Sequence, residues 1–161
     1  MTIPRSNIEK IERIQNRKLW RVFKNEIEDV EMKNGGKAKL ENLFHGTRAT
    51  PPTMIYMSEE GFNLNYANAG MWGKANYFAY NSSYSNGYSS QLPTGQRQMF
   101  MASVIVGKEV VLQPDGNLRV PPNQPGTNVP YDSVKGNTGG SDVIMVYSNK
   151  KAYPSYLITY R

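Results

Sequence analysis

The chain has 161 residues, of which 39% are hydrophobic and 11% aromatic, a composition typical of a folded globular domain and not of a disordered segment. It contains no cysteine, which excludes disulfides and thiolate chemistry, and its single histidine leaves too few ligands for a typical structural zinc site. The formal net charge of +6 permits binding to nucleic acid, acidic proteins or phosphate-bearing small molecules.

The chain is predicted to form one domain over residues 1–161, with residues 1–7 as a loose lead-in. No apolar run approaches the roughly 18 residues needed to span a bilayer. The N-terminus also lacks an apolar stretch of the signal-peptide type. We therefore expect no membrane association and, if the source is eukaryotic, an intracellular (cytoplasmic or nuclear) location.

The first predicted elements are helical. Residues 8–14 place isoleucines at a spacing of three, which taken alone suggests a helix, although their β-branched side chains weaken that prediction. Residues 17–32 form a better helix, because Asn16 can cap the start and Asn34-Gly35-Gly36 can end it. One apolar stripe runs along this helix and consists of Leu19, Trp20, Phe23, Ile27 and Val30.

Part of the positive charge clusters around the start of that helix. The acidic residues Glu26, Glu28 and Glu31 follow it, so a solvated helix face is the favoured interpretation. No nucleic-acid-binding motif accompanies the charge. The cluster consists of Arg13, Arg17, Lys18, Arg21 and Lys24.

A strand around Leu43 to His45 is predicted next. A helix should follow it, because Thr50 can cap the start, Pro51 suits the first turn and Gly61 can close the end.

Asn76 to Ala79 is predicted to be a short strand. The following segment, residues 81–88, is polar enough to be a loop, and a short helix capped by Ser82 is equally compatible with it.

The C-terminal half favours strands. Met99 to Leu112 is the strongest strand signal, with a break or bulge at Gly107. Residues 113–140 are rich in Pro, Gly and Asn and are expected to be mostly loop, and two final strands are predicted at Val143 to Tyr147 and Tyr156 to Tyr160. Helices in the N-terminal half and strands in the C-terminal half indicate the α+β class.

Six short motifs occur in an order that resembles the catalytic domain of the PARP-like (diphtheria-toxin-type) ADP-ribosyltransferases. The likeness extends from Ile8 to Arg161 and is strongest to the mono-ADP-ribosylating branch that includes the macrodomain-linked members. Each motif alone is a weak signal, whereas six in order are specific. They are Ile8–Asn16, Leu43–Thr47, Gly61–Asn63, Gly73–Lys74 with Tyr77–Ala79, Tyr131–Val134, and Ala152–Pro154 with Tyr156–Tyr160.

The resemblance implies an ADP-ribosyltransferase fold, with two packed, mainly antiparallel sheets forming a split β core with flanking helices. It makes Ile8 to Gln15 a strand, and we prefer this to the helix suggested by periodicity. It also implies that the helical regulatory subdomain of the DNA-dependent members is absent, since only a short stretch of this sequence precedes His45.

The resemblance also implies an NAD+ site without a metal. His45 is expected to hydrogen-bond the adenosine ribose, and the backbone of Gly46 and the hydroxyl of Ser85 to bind the nicotinamide carboxamide. Tyr88 would stack on the nicotinamide ring, with Tyr77 as the opposite wall. Thr47, Phe78 and Ala79 belong to the same binding segments, and residues 63–72 would form the loop over the adenosine and diphosphate.

The implied chemistry explains why one histidine is enough. Cleavage of the nicotinamide–ribose bond builds oxocarbenium character on the ribose, so the protein must hold the dinucleotide in a bent, reactive pose. An aromatic sandwich and backbone hydrogen bonds fix the leaving group without a titrating side chain. His45 would then act as an anchor and not as an acid or base.

Two positions depart from the family pattern. Val143 stands where the polymerising members carry a catalytic Glu, as an apolar residue does in the mono-transferring branch, giving an H-Y-V triad of His45, Tyr77 and Val143. A one-residue bulge could present Asp142 instead, although strand alternation points it away. Ala75 replaces a usual glycine, which would strain the backbone if that glycine had a positive φ, or would slightly narrow the site.

The sequence therefore predicts a mono-ADP-ribosyltransferase that cleaves NAD+, releases nicotinamide and transfers one ADP-ribose. The acceptor is expected to be a protein side chain, on a partner or on the enzyme itself; the charge permits a nucleic-acid acceptor without supporting one. The alternative is a catalytically weak or inactive module that binds NAD+ or ADP-ribose. A basic nucleic-acid-binding domain has little support beyond charge.

Overall fold

The segment after the N-terminus is a strand and not a helix. In the computed structural model, which describes residues 4–161, Arg5–Asn7 forms one 3-10 turn and Ile8–Arg13 forms strand β1. β1 pairs antiparallel with the C-terminal strand, from Ile8 opposite Tyr160 to Arg13 opposite Tyr156. The preferred strand is thus confirmed over Ile8–Arg13, and the helix suggested by isoleucine spacing is wrong, because pairing with the chain's last strand determines the conformation. The predicted lead-in is ordered from Arg5 to Asn7, and its residues 1–3 lie outside the described range.

The predicted first helix is confirmed as α1, Arg17–Asn34. The Asn16 side chain accepts a hydrogen bond from the Leu19 N–H at 3.1 Å, and Gly35 ends the helix with a left-handed φ of 71°. Leu19, Phe23 and Val30 are buried against the sheet. Trp20 is at the edge of the stripe and remains 46% exposed, with its ring edge-on to Tyr153.

The remaining elements are mostly short strands. The predicted strands near residues 43–45, 76–79 and 143–147 are confirmed, and the last strand begins four residues earlier than predicted. After β1 and α1 the chain forms β2 (Leu40–His45), α2 (Thr53–Tyr56), β3 (Ala69–Gly70), β4 (Gly73–Lys74), β5 (Asn76–Ala79), α3 (Ser82–Asn86), β6 (Ser90–Gln91), β7 (Arg97–Ile105), β8 (Glu109–Val111), β9 (Ser133–Thr138), β10 (Ser141–Val146) and β11 (Ala152–Tyr160).

The α+β class is confirmed, but the expected pair of separate sheets is not found. Nine strands form one hydrogen-bonded sheet in the order β1-β11-β7-β2-β5-β10-β9-β8, with β6 pairing β7, while β3 and β4 form a small second sheet. All pairs are antiparallel except β8 with β9. The two halves of the sheet meet at a single register pair, Phe44 opposite Ala79. That contact between β2 and β5 makes the sheet continuous.

Strand β10 is buried on both faces. Ile144 packs in the cluster that contains Phe62, Phe78 and Phe100. Its neighbour Val143 packs on the other side, in a cluster with Trp72, Ala75 and Ala79. Because successive side chains of a strand point to opposite faces, two apolar cores lie on either side of β5 and β10.

The helix predicted between Thr50 and Gly61 is only one turn long. The amide of Asn16 donates hydrogen bonds to the carbonyl oxygens of Tyr56 and Ser58, at 3.0 and 3.1 Å. The Ser58 hydroxyl donates to the Ile55 carbonyl and accepts from the Gly61 N–H. The side chains of Asn16 and Ser58 therefore bind backbone carbonyl and N–H groups that a longer helix would pair internally.

The region expected to be mostly loop, residues 113–140, contains a strand that the sequence did not reveal. β9 has little apolar character, and it forms because it lies between β8 and β10. Gly136 is required there, since an added Cβ would lie 2.1 Å from the Trp72 ring. The predicted break at Gly107 is confirmed: its φ is 55°, and an added Cβ would lie 2.3 Å from the Asp132 carboxylate.

Of the two conformations left open for residues 81–88, the short helix is present as α3. Its N-cap is Asn81 and not Ser82, and no side-chain capping bond is formed. None of the helices within residues 4–161 combines the length and the apolar character needed to cross a bilayer.

Candidate functional site

A cavity of about 560 Å³ opens where β2 and β5 meet. The end of β2, the loop before β5, helix α3 and the turn between β9 and β10 provide its walls. Its volume is within the range of pockets that hold cofactors or drug-sized ligands. Most of the residues expected to bind NAD+ line it.

His45, the last residue of β2, is fixed by its backbone and ring neighbours. Its Nδ1 lies 2.6 Å from the Tyr77 carbonyl oxygen, and the rings of Phe62 and Phe78 lie 5.0 and 5.1 Å from its own. Burial lowers the pKa of His45 and outweighs the opposite effect of the Tyr77 carbonyl, so the imidazole is neutral near pH 7. A neutral ring that donates from Nδ1 leaves Nε2 as a hydrogen-bond acceptor.

Gly46 allows two chain segments to come together beside His45. A Cβ at this position would lie 2.4 Å from the carbonyl carbon and oxygen of Tyr88 and 2.7 Å from the Ser85 carbonyl oxygen. The Arg48 N–H donates to the same Tyr88 oxygen at 2.7 Å. Only glycine can therefore hold its peptide groups this close to α3 and the residues that follow it.

Thr47 presents an unusual polar atom. Its hydroxyl oxygen is buried and has no hydrogen-bond partner among residues 4–161, although the residue lines the cavity. A buried hydroxyl without a partner costs about 1–3 kcal/mol. A ligand would remove that cost only if the Thr47 side chain turned its hydroxyl into the cavity.

Tyr77 forms one wall and is locked from both ends. Its backbone carbonyl accepts from His45, while its hydroxyl accepts from the Trp72 N–H and donates to the Gly73 carbonyl, both at 2.8 Å. Burial raises the pKa of the Tyr77 hydroxyl, so the phenol is neutral. The ring is thus a rigid surface and its hydroxyl is engaged with the loop before β5.

Helix α3 and the residues after it provide the opposite wall. Ser85 is buried, and its carbonyl accepts from the Tyr88 N–H at 3.0 Å. The Tyr88 ring lies 4.2 Å from the Arg48 guanidinium and 5.2 Å from the Tyr84 ring. Arg48 is the one non-glycine residue with a positive φ within residues 4–161, at 52°, so backbone strain accompanies this contact.

Two predicted site residues do not line the cavity. Phe78, expected among the NAD+-binding residues, has its side chain in the core on the far side of β5, where it supports the His45 ring. Val143 is fully buried beside Ala79, its register partner on the same face of the sheet, and is absent from the cavity wall. Strand alternation separates Phe78 from Ala79, which does line the cavity.

The bulge that would present Asp142 is absent. The pairing of β10 with β9 is regular from Ser141 to Met145. The Asp142 carboxylate is exposed and accepts a hydrogen bond from Asn137 at 2.9 Å, with Lys135 at 3.8 Å. It therefore points away from the cavity.

Ala75, the second departure from the family pattern, is compatible with the fold. It is buried and lines the cavity, and its φ is not positive. The expected backbone strain is thus absent, and its methyl group packs in the Val143 cluster.

Sequence reasoning overlooked Tyr84 and Arg48, which line the cavity, and included Trp72 only as the last residue of the expected loop 63–72. Tyr84 had a signal available, because it precedes the predicted Ser85 on the same short helix. No sequence signal predicted the burial of Trp72, since it depends on contacts with Gly136 and with the Leu112 carbonyl, which are distant along the chain.

A domain of this fold, with a neutral histidine, a backbone-exposing glycine and tyrosine walls around one cavity, has the features implied for a PARP-like ADP-ribosyltransferase. Residues 2–137 match the poly(ADP-ribose) polymerase catalytic domain, and the chain belongs to that family. NAD+ is the substrate used by this family.

Individual relatives are similar over nearly the whole chain. A probable poly [ADP-ribose] polymerase of Dictyostelium discoideum is 39% identical over 94% of this chain and 44% of its own length. The human protein mono-ADP-ribosyltransferases PARP14 and PARP12 are 36% and 33% identical over 96% and 99% of this chain. These alignments cover 9% and 22% of the two human proteins, so the chain spans less than half the length of these relatives.

Proposed function

We propose that the chain is a mono-ADP-ribosyltransferase that cleaves NAD+ at the nicotinamide–ribose bond and transfers one ADP-ribose to an acceptor. The observation that carries the proposal is the convergence of His45, Gly46, Tyr77, Ser85 and Tyr88 on one cavity. Its likeness to human proteins named mono-ADP-ribosyltransferases supports transfer of a single unit. In this proposal residues 1–161 act as one catalytic domain without a metal.

His45 and Thr47 would hold the adenosine side of NAD+. The Nε2 of His45 is an acceptor, which suits a ribose hydroxyl, and its orientation is fixed by the Tyr77 carbonyl. The unsatisfied Thr47 hydroxyl would gain a partner from the same ligand after rotation of its side chain.

Gly46, Ser85 and the two tyrosines would hold the nicotinamide. The Gly46 peptide groups and the Ser85 hydroxyl are suited to the carboxamide, which has both donors and an acceptor. Tyr77 and Tyr88 would sandwich the ring. This arrangement restrains the leaving group while the nicotinamide–ribose bond breaks and positive charge moves onto the ribose.

The limit to one ADP-ribose unit would follow from the missing carboxylate. Val143 has no polar atom, and no residue that lines the cavity within residues 4–161 is an Asp or Glu. A general base is typically worth about 10²- to 10⁴-fold in rate, so turnover should be modest. A carboxylate on the acceptor itself would supply the missing group, which favours a protein side chain, on a partner or on the enzyme.

The missing carboxylate also favours one alternative, a module that binds NAD+ or ADP-ribose without transferring it. Incubation with adenine-labelled NAD+, followed by mass spectrometry, separates the two. The transferase should acquire mass increments of single ADP-ribose units, and His45→Ala should abolish them. Calorimetric binding of NAD+ without nicotinamide release or labelling would establish the binding module.

A further inference from the structure

The ribose next to the nicotinamide needs a hydrogen-bonding partner that β10 does not supply. In the polymerising members of the family that the chain resembles, a Glu at the position of Val143 is expected to hydrogen-bond the 2′-hydroxyl of that ribose. Val143 is fully buried among Trp72, Ala75 and Ala79 and offers only methyl groups. If the chain acts on NAD+, the 2′-hydroxyl either finds another polar group beside this cluster or remains without a hydrogen-bond partner.

Tyr84 is the polar side chain at that place. It lines the cavity, and its ring packs against the cluster that contains Val143 and Ala79. On its other side it contacts the turn between β9 and β10, where a Cβ on Gly139 would lie 2.8 Å from the Tyr84 ring. Helix α3 holds Tyr84 next to Ser85, so its phenol has a defined position relative to the nicotinamide site.

The phenol of Tyr84 has the right chemistry for a neutral partner. Burial raises the pKa of Tyr84, and the neighbouring Tyr88 adds to that effect, so the hydroxyl keeps its proton at any physiological pH. A phenol donates one hydrogen bond and also accepts. Its oxygen can therefore accept a hydrogen bond from a ligand hydroxyl.

We propose that Tyr84 replaces the missing carboxylate as the hydrogen-bond acceptor for the 2′-hydroxyl of the nicotinamide ribose. This inference rests on the proposed function. A neutral phenol orients the ribose but does not deprotonate an acceptor. A Tyr84 phenol in place of a carboxylate would therefore support binding and cleavage of NAD+ without supporting chain growth.

The test measures recognition of that one hydroxyl. Dissociation constants are determined for NAD+ and for its analogue lacking the 2′-hydroxyl of the nicotinamide ribose, with the wild type, Tyr84→Phe and Tyr80→Phe. Tyr80 is a matched control, because it is half-buried on the same segment, stacks against Lys135 and does not line the cavity. A neutral hydrogen bond of net 0.5–1.5 kcal/mol corresponds to about 2- to 12-fold in affinity.

We expect wild type and Tyr80→Phe to bind NAD+ about 3- to 10-fold more tightly than the analogue, and Tyr84→Phe to bind the two about equally. Discrimination that survives in Tyr84→Phe would overturn the inference. A wild-type protein that binds both ligands equally would overturn it without any variant, so the test does not depend on the folding of Tyr84→Phe. If the wild type binds neither ligand, the proposed function fails and this inference fails with it.

Discussion

Gly46→Ala tests whether the contact between the β2 end and α3 creates the site. An alanine Cβ would lie 2.4 Å from the Tyr88 carbonyl carbon, whereas ordinary contacts begin near 3.4 Å, so the segments must separate by about 1 Å. The clashing atoms belong to the backbone of Tyr88 and Ser85, so the clash cannot be relieved by moving the end of a flexible side chain. The Arg48–Tyr88 backbone hydrogen bond must adjust as well.

The magnitude follows from that displacement. Overpacking of this kind typically costs about 1–3 kcal/mol, which corresponds to a fall in Tm of roughly 2–12 °C for a chain of this size. A misplacement of about 1 Å at a reacting ligand can cost about 10²-fold in rate. We therefore expect weaker NAD+ binding and nicotinamide release reduced by about two orders of magnitude.

Differential scanning fluorimetry, calorimetry with NAD+ and a nicotinamide-release assay measure the three effects. Gly36→Ala is the matched control, since a Cβ there meets no atom within 4 Å and its φ is not positive. A Gly46→Ala protein with wild-type melting temperature and NAD+ affinity would refute the reasoning.

Three further predictions concern charge and pH. Burial lowers the pKa of His45 in the folded state, so the unfolded chain takes up a proton first as the pH falls below about 6.5. The wild type should therefore lose more stability between pH 7 and 5 than His45→Asn does. Melting temperatures of the two proteins that fall in parallel with pH would contradict this. Burial alone would raise the pKa of Asp132, but hydrogen bonds from Lys33, Asn34 and the Lys108 N–H lower it. The Asp132 carboxylate is therefore stabilised in its ionised form in the folded protein. Asp132→Asn should therefore cost about 3 kcal/mol in urea unfolding, against less than about 0.5 for the exposed Glu28→Gln, and equal losses would disprove a structural role for the ion. Asp142→Ala should leave nicotinamide release within about twofold of wild type, because its carboxylate points to solvent, and a large fall in rate would return Asp142 to the mechanism.

Local signals predicted the elements whose stabilising contacts are close in sequence. The Asn16 cap and the Gly35 terminus of α1 act within a few residues, so the helix was predictable to within two residues of its end. The strong apolar strand before Gly107 was predictable for the same reason, because the left-handed φ that ends it requires a glycine.

Elements that depend on distant partners were missed or wrong. β9 has polar residues and exists because two neighbouring strands pair with it. The helix before Gly61 stops after one turn because Asn16, forty residues from Tyr56 along the chain, takes up its carbonyl groups. The single register pair between β2 and β5 joins the sheet halves, and no sequence pattern reports such a pairing.

The residues of the candidate site also fall into two groups, those that local sequence signals named and those whose position depends on packing. Ordered motifs were enough to name His45, Gly46, Tyr77, Ser85 and Tyr88, because short motifs hold these residues at set spacings along the chain. Strand alternation in the assembled sheet turned Phe78 away from the cavity. Val143 lies on the same face as Ala79, and only its complete burial by its neighbours keeps it out of the cavity wall. Tyr84 acquires its position beside Val143 only in the folded domain, because α3 and β10 are far apart in sequence and come together in space. The sequence by itself thus determined the family and named most of the residues that meet at the cavity, whereas tertiary packing decided which side chains line it.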